Sequence, residues 1–261
     1  MNYLEPITLV DKFATRTPNE IAKTRGGSKL YRAALKLFRA GDEKADWPKA
    51  FSMMSEAASL GETLAIEGLA CLFDYGVGTR EDRREAFRLH KIAAEAGLPN
   101  AQFNLAMCYM DGTGTRKNRP HGVSLLRVLA NAGTPPEAMH ELAYALRYGC
   151  GVKRNLKSGF KWESAAASQG LVDAMYSVGV CLSRGEGVRQ DKRAALEWFL
   201  KAAQKGHGEA CFNVAYYYEN GIGTDRNLTS AKKWYQRAVK HGDKDAAAAL
   251  LRLGKPPKVA A

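Results

Sequence analysis

The sequence predicts an all-α solenoid, a stack of about six helix-turn-helix repeats. Two observations lead to this fold. Apolar residues recur with helical spacing and are followed each time by helix-ending and helix-starting residues. Paired glycines recur every 36 or 37 residues, at Gly76/Gly78, Gly112/Gly114, Gly149/Gly151, Gly185/Gly187 and Gly221/Gly223. A period of this length predicts stacked copies of one structural unit.

Each unit is predicted to begin with a helix. An alanine opens it, and apolar residues follow four and eight positions later, as in Ala174, Val178 and Leu182. This spacing marks one face of a helix of about eleven residues. The first glycine of each pair comes just after the last apolar position, where a left-handed residue ends many helices. Gly149 and Gly185 are therefore expected to have positive φ.

A second helix is predicted after each glycine pair. Residues that cap helix N-termini stand six positions after each first glycine, at Asp82, Asn118, Asn155, Asp191 and Asn227. In one unit, Glu85 is placed to complete a capping box with Asp82. Small residues and one large residue follow at helical spacing. A further glycine ends each of these helices, at Gly97, Gly133, Gly170, Gly206 and Gly242.

The combined pattern resembles the Sel1-like repeat, a relative of the tetratricopeptide repeat. The clearest copy runs from Ala174 to His207 and includes Gly185-Glu186-Gly187-Val188, Asp191, Trp198 and Ala202-Ala203. The resemblance implies a right-handed α/α superhelix whose first helices line a concave face, where peptides or other proteins bind. It also implies an adaptor rather than an enzyme, in a signalling, secretion or assembly role in bacteria.

The repeats divide the chain into three predicted parts. These are an N-terminal extension at 1–28, the solenoid at 29–254 and a flexible tail at 255–261. The extension is expected to be partly disordered or, because Leu4, Ile7 and Phe13 make it apolar, packed on the solenoid. The units are expected at about 30–64, 65–100, 101–137, 138–173, 174–209 and 210–245, with a capping helix at 246–254. The first unit is degenerate, since the single Gly41 replaces the glycine pair.

Composition excludes several classes of protein. A chain with 46% hydrophobic and 25% charged residues is expected to fold. Its longest apolar runs are shorter than the ~18–20 residues of a spanning helix, so no membrane insertion is expected. Residues 1–27 lack the pattern of a secretory signal, which predicts a cytoplasmic protein. Free thiols are expected at all five cysteines, Cys71, Cys108, Cys150, Cys181 and Cys211.

The sequence motifs predict no enzyme, no cofactor and no metal site. Phosphate-loop, dinucleotide-binding, GxSxG and HExxH patterns are missing from the sequence, and its five histidines occupy five different repeat positions. A Cys–His dyad assembled across repeats stays open, and a hydrolase is the remote alternative. Secreted, cysteine-rich relatives associated with β-lactam binding have in-phase disulfides. Cys108 and Cys181 share a phase but lie two units apart, too far to bridge, so that resemblance does not extend to this chain.

The concave face implied by the resemblance carries acidic and aromatic residues. Its carboxylates are Glu67, Asp74, Asp111, Glu137, Asp173, Glu209 and Glu219. Its aromatic residues are Tyr75, Phe103, Tyr144, Tyr148, Tyr176, Phe212 and Tyr216. Such a surface suits a basic, partly apolar peptide or helix. The alternative is structural, because carboxylates also favour helix N-termini and the aromatic residues could pack against the next unit.

A second predicted surface is basic. The chain has a net charge of +12, and one basic residue per unit stands just before the second-helix cap, at Arg80, Arg116, Lys153, Arg189 and Arg226. Stacked units would align these residues in a positive ridge, and binding of a nucleic acid or another polyanion is therefore the alternative function. Aromatic residues do not alternate with the basic ones, which argues against single-stranded nucleic acid. The same charges are also expected of a merely solvated surface.

Overall fold

Residues 25–38 and 46–254 are described in a computed structural model of the protein. The chain falls into two compact units, divided between Leu125 and Leu126. The expectations for residues 1–24, for Gly41 and for the tail at 255–261 lie outside the described residues. Residues 25–28, which were expected in the N-terminal extension, form the start of the first helix.

The described residues form an all-α protein, as predicted, with thirteen helices and no strand. The first unit contains α1 Arg25–Phe38, α2 Trp47–Ser59, α3 Thr63–Tyr75, α4 Arg83–Glu95 and α5 Pro99–Asp111. Helix α6, Arg119–Ala132, includes the division between the units. The second unit contains α7 Pro136–Tyr148, α8 Leu156–Ser168, α9 Val172–Arg184, α10 Lys192–Gln204, α11 Gly208–Asn220, α12 Leu228–Lys240 and α13 Lys244–Gly254. None of the helices described is both long and apolar enough to cross a bilayer.

The predicted caps of the second helices are present. The side chains of Asp82, Asn118, Asn155, Asp191 and Asn227 each accept a hydrogen bond from a backbone N–H two or three residues later. The capping box predicted at Glu85 is wrong. The backbone N–H of Asp82 donates instead to the carbonyl of Phe73, and the Glu85 carboxylate accepts two hydrogen bonds from Arg88.

The glycine turns also follow the prediction. Gly149 and Gly185 end their helices with φ of 76° and 74°, in the left-handed region that favours glycine. The second glycine of the turn has a different role. A Cβ added to Gly187 would overlap the carbonyl group of Leu156, at the start of the preceding second helix. This glycine therefore allows one repeat to pack directly on the backbone of the one before it.

The first helices are longer than predicted, at thirteen residues, because each begins two residues before the opening alanine. Their N-termini carry no recurring capping side chain. Glu62, Leu98, Pro135 and Leu171 form no side-chain cap, whereas the imidazole of His207 accepts a hydrogen bond from the backbone N–H of Ala210. Capping residues in the sequence therefore mark the starts of the second helices but not those of the first.

Within each unit, every helix packs mainly against the helices before and after it in sequence. Alanines at the helix contacts are fully buried, among them Ala65, Ala174 and Ala202. Larger side chains fill the space between them, such as Met54 in the first unit and Val178 and Phe199 in the second. This arrangement places the first helices side by side, so that residues at one repeat position recur on neighbouring first helices.

Candidate protein-binding surface

Three large tyrosines are exposed on the first helices of the second unit. Tyr144 and Tyr148 lie one turn apart on α7 and are 51% and 56% exposed, and Tyr216 on α11 is 46% exposed. The rings of Tyr144 and Tyr148 contact each other, with centroids 4.6 Å apart. Tyr144 and Tyr216 occupy the same repeat position. The second unit therefore presents aromatic side chains at intervals along its first helices.

Two basic residues interrupt this aromatic set, and both lie beside one carboxylate. The guanidinium of Arg147 lies 5.4 Å from the centroid of the Tyr148 ring, and its Nε donates to Glu186 Oε2 at 2.7 Å. Arg184 Nη1 lies 3.5 Å from Glu186 Oε1. Glu186 was not among the predicted surface residues because it lies in the Gly-Glu-Gly turn, not on a helix. Its charge offsets part of the positive charge that Arg147 and Arg184 bring to this surface.

Three carboxylates of the predicted set occupy the first turns of α7, α9 and α11. Asp173 and Glu209 are exposed, and Glu137 is half-buried. Their position near the helix N-termini is favourable for negative charge. The carboxylate of Asp173 also lies 3.7 Å from Nε2 of His207. Helix position therefore explains why acidic residues occur here, and it leaves two of them accessible to solvent.

Tyr176 and Phe212 are half-buried and contact other residues of the second unit. The ring of Tyr176 stacks on His207 at a centroid distance of 4.4 Å and also contacts Phe199. Burial, together with a hydrogen bond to Glu209, raises the pKa of Tyr176 to about 12. The ring of Phe212 contacts Tyr235. These two aromatic residues contribute to packing and present less surface than the exposed tyrosines.

Glu67 and Glu219 are buried, so they are not part of an accessible surface. Glu67 is 4% exposed and Glu219 is 7% exposed. The Glu219 carboxylate accepts hydrogen bonds from the Tyr235 hydroxyl at 2.8 Å and from Arg252 Nη2 at 2.6 Å. It therefore joins α11 to α12 and α13. The sequence pattern gives helical position but does not show that these carboxylates are buried.

The first unit places its predicted residues differently. Tyr75 at the end of α3 and Asp111 at the end of α5 are exposed, whereas Phe103 is half-buried. Asp74 Oδ2 lies within hydrogen-bond distance of Nε2 of the buried His90, at 2.8 Å. The other ring nitrogen of His90, Nδ1, is buried and has no partner. Asp74 is thus committed to a contact inside the first unit.

A partly buried ionisable pair lies close to the exposed tyrosines in sequence. His140 on α7 and Glu163 on α8 are 2.5 Å apart, measured from Nδ1 to Oε1. Burial by itself lowers the pKa of His140, but the hydrogen bond and the charge of Glu163 outweigh it, so the pKa is raised. Neither residue was predicted to have a role from the sequence.

The predicted basic residues are all on the surface. Arg80 and Arg116 are exposed in the first unit, and Lys153, Arg189 and Arg226 are exposed in the second. Arg226 has an additional role, because its Nε donates to the backbone carbonyl of Glu219 at 2.9 Å. Arg154 and Gln190 make the equivalent bond in the two preceding repeats. Residues directly before the second-helix cap therefore help to end the first helix.

The described residues show no cluster of three or more histidine, cysteine or acidic side chains placed to hold a metal ion. All five cysteines are free thiols, and Cys108, Cys181 and Cys211 are buried. Burial raises the pKa of Cys108 to about 12 and that of Cys181 to about 11. Raised values keep these thiols protonated near neutral pH, which disfavours a nucleophilic role.

Comparison with known proteins identifies the repeat. The Sel1 repeat model matches residues 63–98, 99–134, 136–171, 172–207 and 208–243, which together make up more than half of the chain. Each match begins two residues before the opening alanine, at the observed start of a first helix. A comparison of the sequence with curated proteins gives no match.

Solved structures with the same fold include two bacterial proteins. A protective antigen from uropathogenic Escherichia coli is 26% identical, with a TM-score of 0.78, and the match covers 95% of this chain and 51% of that one. This chain therefore spans about half the length of that protein. A Sel1 repeat protein from Oxalobacter formigenes is 28% identical, with a TM-score of 0.76, and the match covers 89% of this chain and 93% of that one.

Proposed function

The chain belongs to the Sel1 repeat family, and from this premise we propose that it is a scaffold that binds a basic, partly apolar peptide or helix on the first helices of its second unit. Sel1 repeat proteins generally act in protein–protein interaction. The observation that carries the proposal is the exposure of Tyr144, Tyr148 and Tyr216 on α7 and α11.

The exposed tyrosines favour binding of a protein because of their chemistry and their arrangement. Tyrosine supplies a large apolar surface with few rotatable bonds and a hydroxyl that remains able to form hydrogen bonds, and it is enriched at binding hot spots. A single exposed apolar side chain needs no explanation. Here two rings contact each other, and the position of Tyr144 is occupied again by Tyr216 on another first helix of the unit.

The charge of the surrounding residues favours a basic partner. Asp173 and Glu209 are exposed near the starts of α9 and α11, and Glu137 is half-exposed at the start of α7. The positive charge of Arg147 is matched by the carboxylate of Glu186. Opposite charges across an interface speed association and discriminate against partners of the wrong sign. A peptide with lysine or arginine beside leucine or phenylalanine therefore fits this surface best.

The proposal extends to properties of the whole protein. The Sel1 repeat fold is typically a non-catalytic scaffold, and we assign no catalytic activity to this chain. A cytoplasmic location and a bacterial origin are parts of the same proposal, and the two solved relatives named above are bacterial.

Binding of two synthetic amphipathic peptides tests the proposal. One peptide carries lysine and leucine, and the other has glutamate at every lysine position. By fluorescence anisotropy, only the basic peptide should bind the full chain. The double variant Tyr144→Ala/Tyr216→Ala should bind it about tenfold or more weakly, since interface tyrosines are often hot spots. Its melting temperature should be nearly unchanged, because both side chains are exposed.

A matched control separates the tyrosine surface from general hydrophobicity. The variant Val128→Ala/Leu251→Ala also removes two exposed apolar side chains of the second unit, and it should bind the basic peptide as the parent does. Equal binding of both peptides, or full binding by the tyrosine variant, would contradict the proposal.

A second candidate function is the binding of a polyanion by the basic residues. Arg80, Arg116, Lys153, Arg189 and Arg226 are exposed, and among the described residues none of them forms an ion pair. Replacing all five with glutamine should reduce the dependence of RNA affinity on salt, by a slope of about 0.7–0.9 for each phosphate that is no longer neutralised. Affinity for RNA that resists salt would favour this function over the scaffold.

A further inference from the structure

The second unit contains a depression of about 380 Å³ that does not include the tyrosine surface. Its lining residues come from α6, from the end of α7, from the following turn and from α8. Its charged, polar and aromatic lining residues are Arg127, Asn131, Lys153, Asn155, Ser158 and Trp162. Leu146 and Val152 complete the lining, and none of these residues is acidic. Its volume is near the lower end of the ~300–1,000 Å³ typical of small-molecule sites.

Two cations border this pocket without a compensating charge. Arg127 and Lys153 are both exposed, and within the described part of the chain neither of them forms an ion pair. The contrast is with Arg147, Arg184 and Arg252, each of which lies near a carboxylate. Two cations that line one pocket and pair with no carboxylate provide a favourable place for an anion with more than one negative charge.

The tryptophan of this repeat differs from its two equivalents. Lys201 lies over the ring of Trp198 at 4.1 Å from the centroid, and Arg237 lies over the ring of Trp234 at 4.5 Å. Both cations come three residues after their tryptophan. The same position after Trp162 holds Ala165, and no cation lies over the Trp162 ring among the described residues. This indole therefore lines the pocket and is not covered by a cationic side chain, as the other two are.

The cation on α6 is also absent from the repeats that follow. Arg127 stands nine residues after the cap Asn118. The same position holds Lys91 in the preceding repeat and Ser164, Leu200 and Gln236 in the next three repeats. Packing and turns explain residues that recur in phase. The positions of Arg127 and Ala165 hold different residues from repeat to repeat. Arg127 adds a cation at the pocket, and Ala165 leaves the aromatic ring without a covering cation. Their coincidence at one pocket is not required by the fold.

We propose that this pocket binds a phosphate monoester that carries a planar ring, with a nucleoside 5′-monophosphate as the simplest ligand of this class. The phosphate dianion would contact Arg127 and Lys153, while the ring would stack on Trp162, as bases stack on aromatic side chains elsewhere. The carboxamides of Asn131 and Asn155 and the hydroxyl of Ser158 provide neutral hydrogen-bonding groups around the same volume. The site lies outside the proposed peptide-binding surface, so either can be present without the other.

Titration of the full chain with adenosine 5′-monophosphate tests this site. The chain has four tryptophans, so nuclear magnetic resonance gives four indole N–H signals, and the variant Trp162→Leu assigns the one in the pocket. The nucleotide should shift the Trp162 signal selectively and bind with Kd below about 1 mM by calorimetry. Adenosine and inorganic phosphate each lack one half of the ligand, and each should bind at least about tenfold more weakly than the nucleotide.

Two matched variants separate a site from general attraction to a basic protein. Arg127→Ser introduces the residue found at the equivalent Ser164 and should weaken nucleotide binding about tenfold, as expected for the loss of a charged hydrogen bond. Arg189→Ser removes the same charge outside the pocket and should leave binding nearly unchanged.

Three results would overturn the proposal. They are an unmoved Trp162 signal at millimolar nucleotide, equal weakening by the two arginine variants, and inorganic phosphate that binds as tightly as the nucleotide. If Arg127→Ser does not fold, Lys153→Ala replaces it in the same comparison.

Discussion

At the scale of single residues, two histidines of the second unit show how environment decides charge. His140 is paired with the buried Glu163, and the net effect raises its pKa. His207 accepts a backbone hydrogen bond through Nδ1, which requires the unprotonated nitrogen, and burial is the main reason that its pKa is lowered. The fold therefore favours protonated His140 and neutral His207, and the two residues influence stability in opposite directions with pH.

The His140–Glu163 pair predicts a pH-dependent stability. Since the pKa of His140 is raised in the fold, its stabilising contribution is complete below the unfolded value of about 6.5 and is lost as pH rises through the folded value. Glu163→Gln should therefore lower the melting temperature more at acidic than at alkaline pH. It should also lower the pKa of His140 measured by nuclear magnetic resonance.

The control for this prediction is Glu197→Gln. Glu197 is exposed and lies 4.0 Å from Arg193 on α10, so its loss should change stability little at any pH. A Glu163→Gln variant that is destabilised equally at all pH values would show that the pair contributes hydrogen bonding without a charge on His140.

At the scale of helices and turns, glycine is required at the two positions of one turn for different physical reasons. Gly185 has φ of 74°, and the nearest atoms to an added Cβ would be 3.4 Å away. Gly187 has φ of 76°, but there a Cβ would overlap the carbonyl group of Leu156. The first glycine is needed for backbone conformation alone, and the second is needed also for close packing between repeats.

This difference predicts unequal losses of stability. Gly185→Ala should lower the free energy of unfolding by about 1–2 kcal/mol, the strain of a left-handed alanine. Gly187→Ala should lower it by more than about 3 kcal/mol, since backbone of the preceding repeat must also move. Gly206→Ala is the control, because its φ is 93° and no atom lies within 4 Å of an added Cβ. Urea unfolding measures all three, and equal losses at Gly185 and Gly187 would contradict the packing argument.

Elements were predictable from the sequence where a local rule defines them. The caps at Asp191 and its equivalents and the left-handed Gly149 and Gly185 follow from residue type and spacing, and the structure contains them. The capping box failed because the N–H of Asp82 already donates to the carbonyl of Phe73, on the preceding helix and across the turn. Local spacing cannot show such a competing partner.

The candidate surface was less predictable because burial depends on neighbouring helices. Spacing placed Glu219 and Tyr216 on the same helix, but only the positions of α12 and α13 show that Glu219 is enclosed while Tyr216 is exposed. The pocket at Trp162 was not predicted from the sequence. Its residues come from α6, α7, α8 and the turn between α7 and α8, and in the sequence Arg127 and Ala165 stand at repeat positions where the residue varies.

At the scale of the whole molecule, stability is distributed along the chain. Helices contact mainly their neighbours in sequence, as in other repeat proteins, whose stability is approximately a sum of repeat and interface terms. The last helix, α13, packs against α12. Glu219 strengthens this end of the second unit, since its buried carboxylate accepts from both Tyr235 on α12 and Arg252 on α13.

Glu219→Gln should therefore loosen the last helices of the second unit and leave its other helices intact. The amide cannot accept as strongly from both donors, and the loss of hydrogen bonds to a charged group corresponds to about 1.5–3 kcal/mol. Hydrogen exchange should become faster in α12 and α13 while protection in α7 to α9 is unchanged. Glu209→Gln on the same helix, at an exposed carboxylate, should produce a smaller effect. In stacked repeats, each interface is expected to contribute its own term to stability. Uniformly faster hydrogen exchange across the second unit would contradict this expectation, because it would mean that the unit unfolds as one cooperative body.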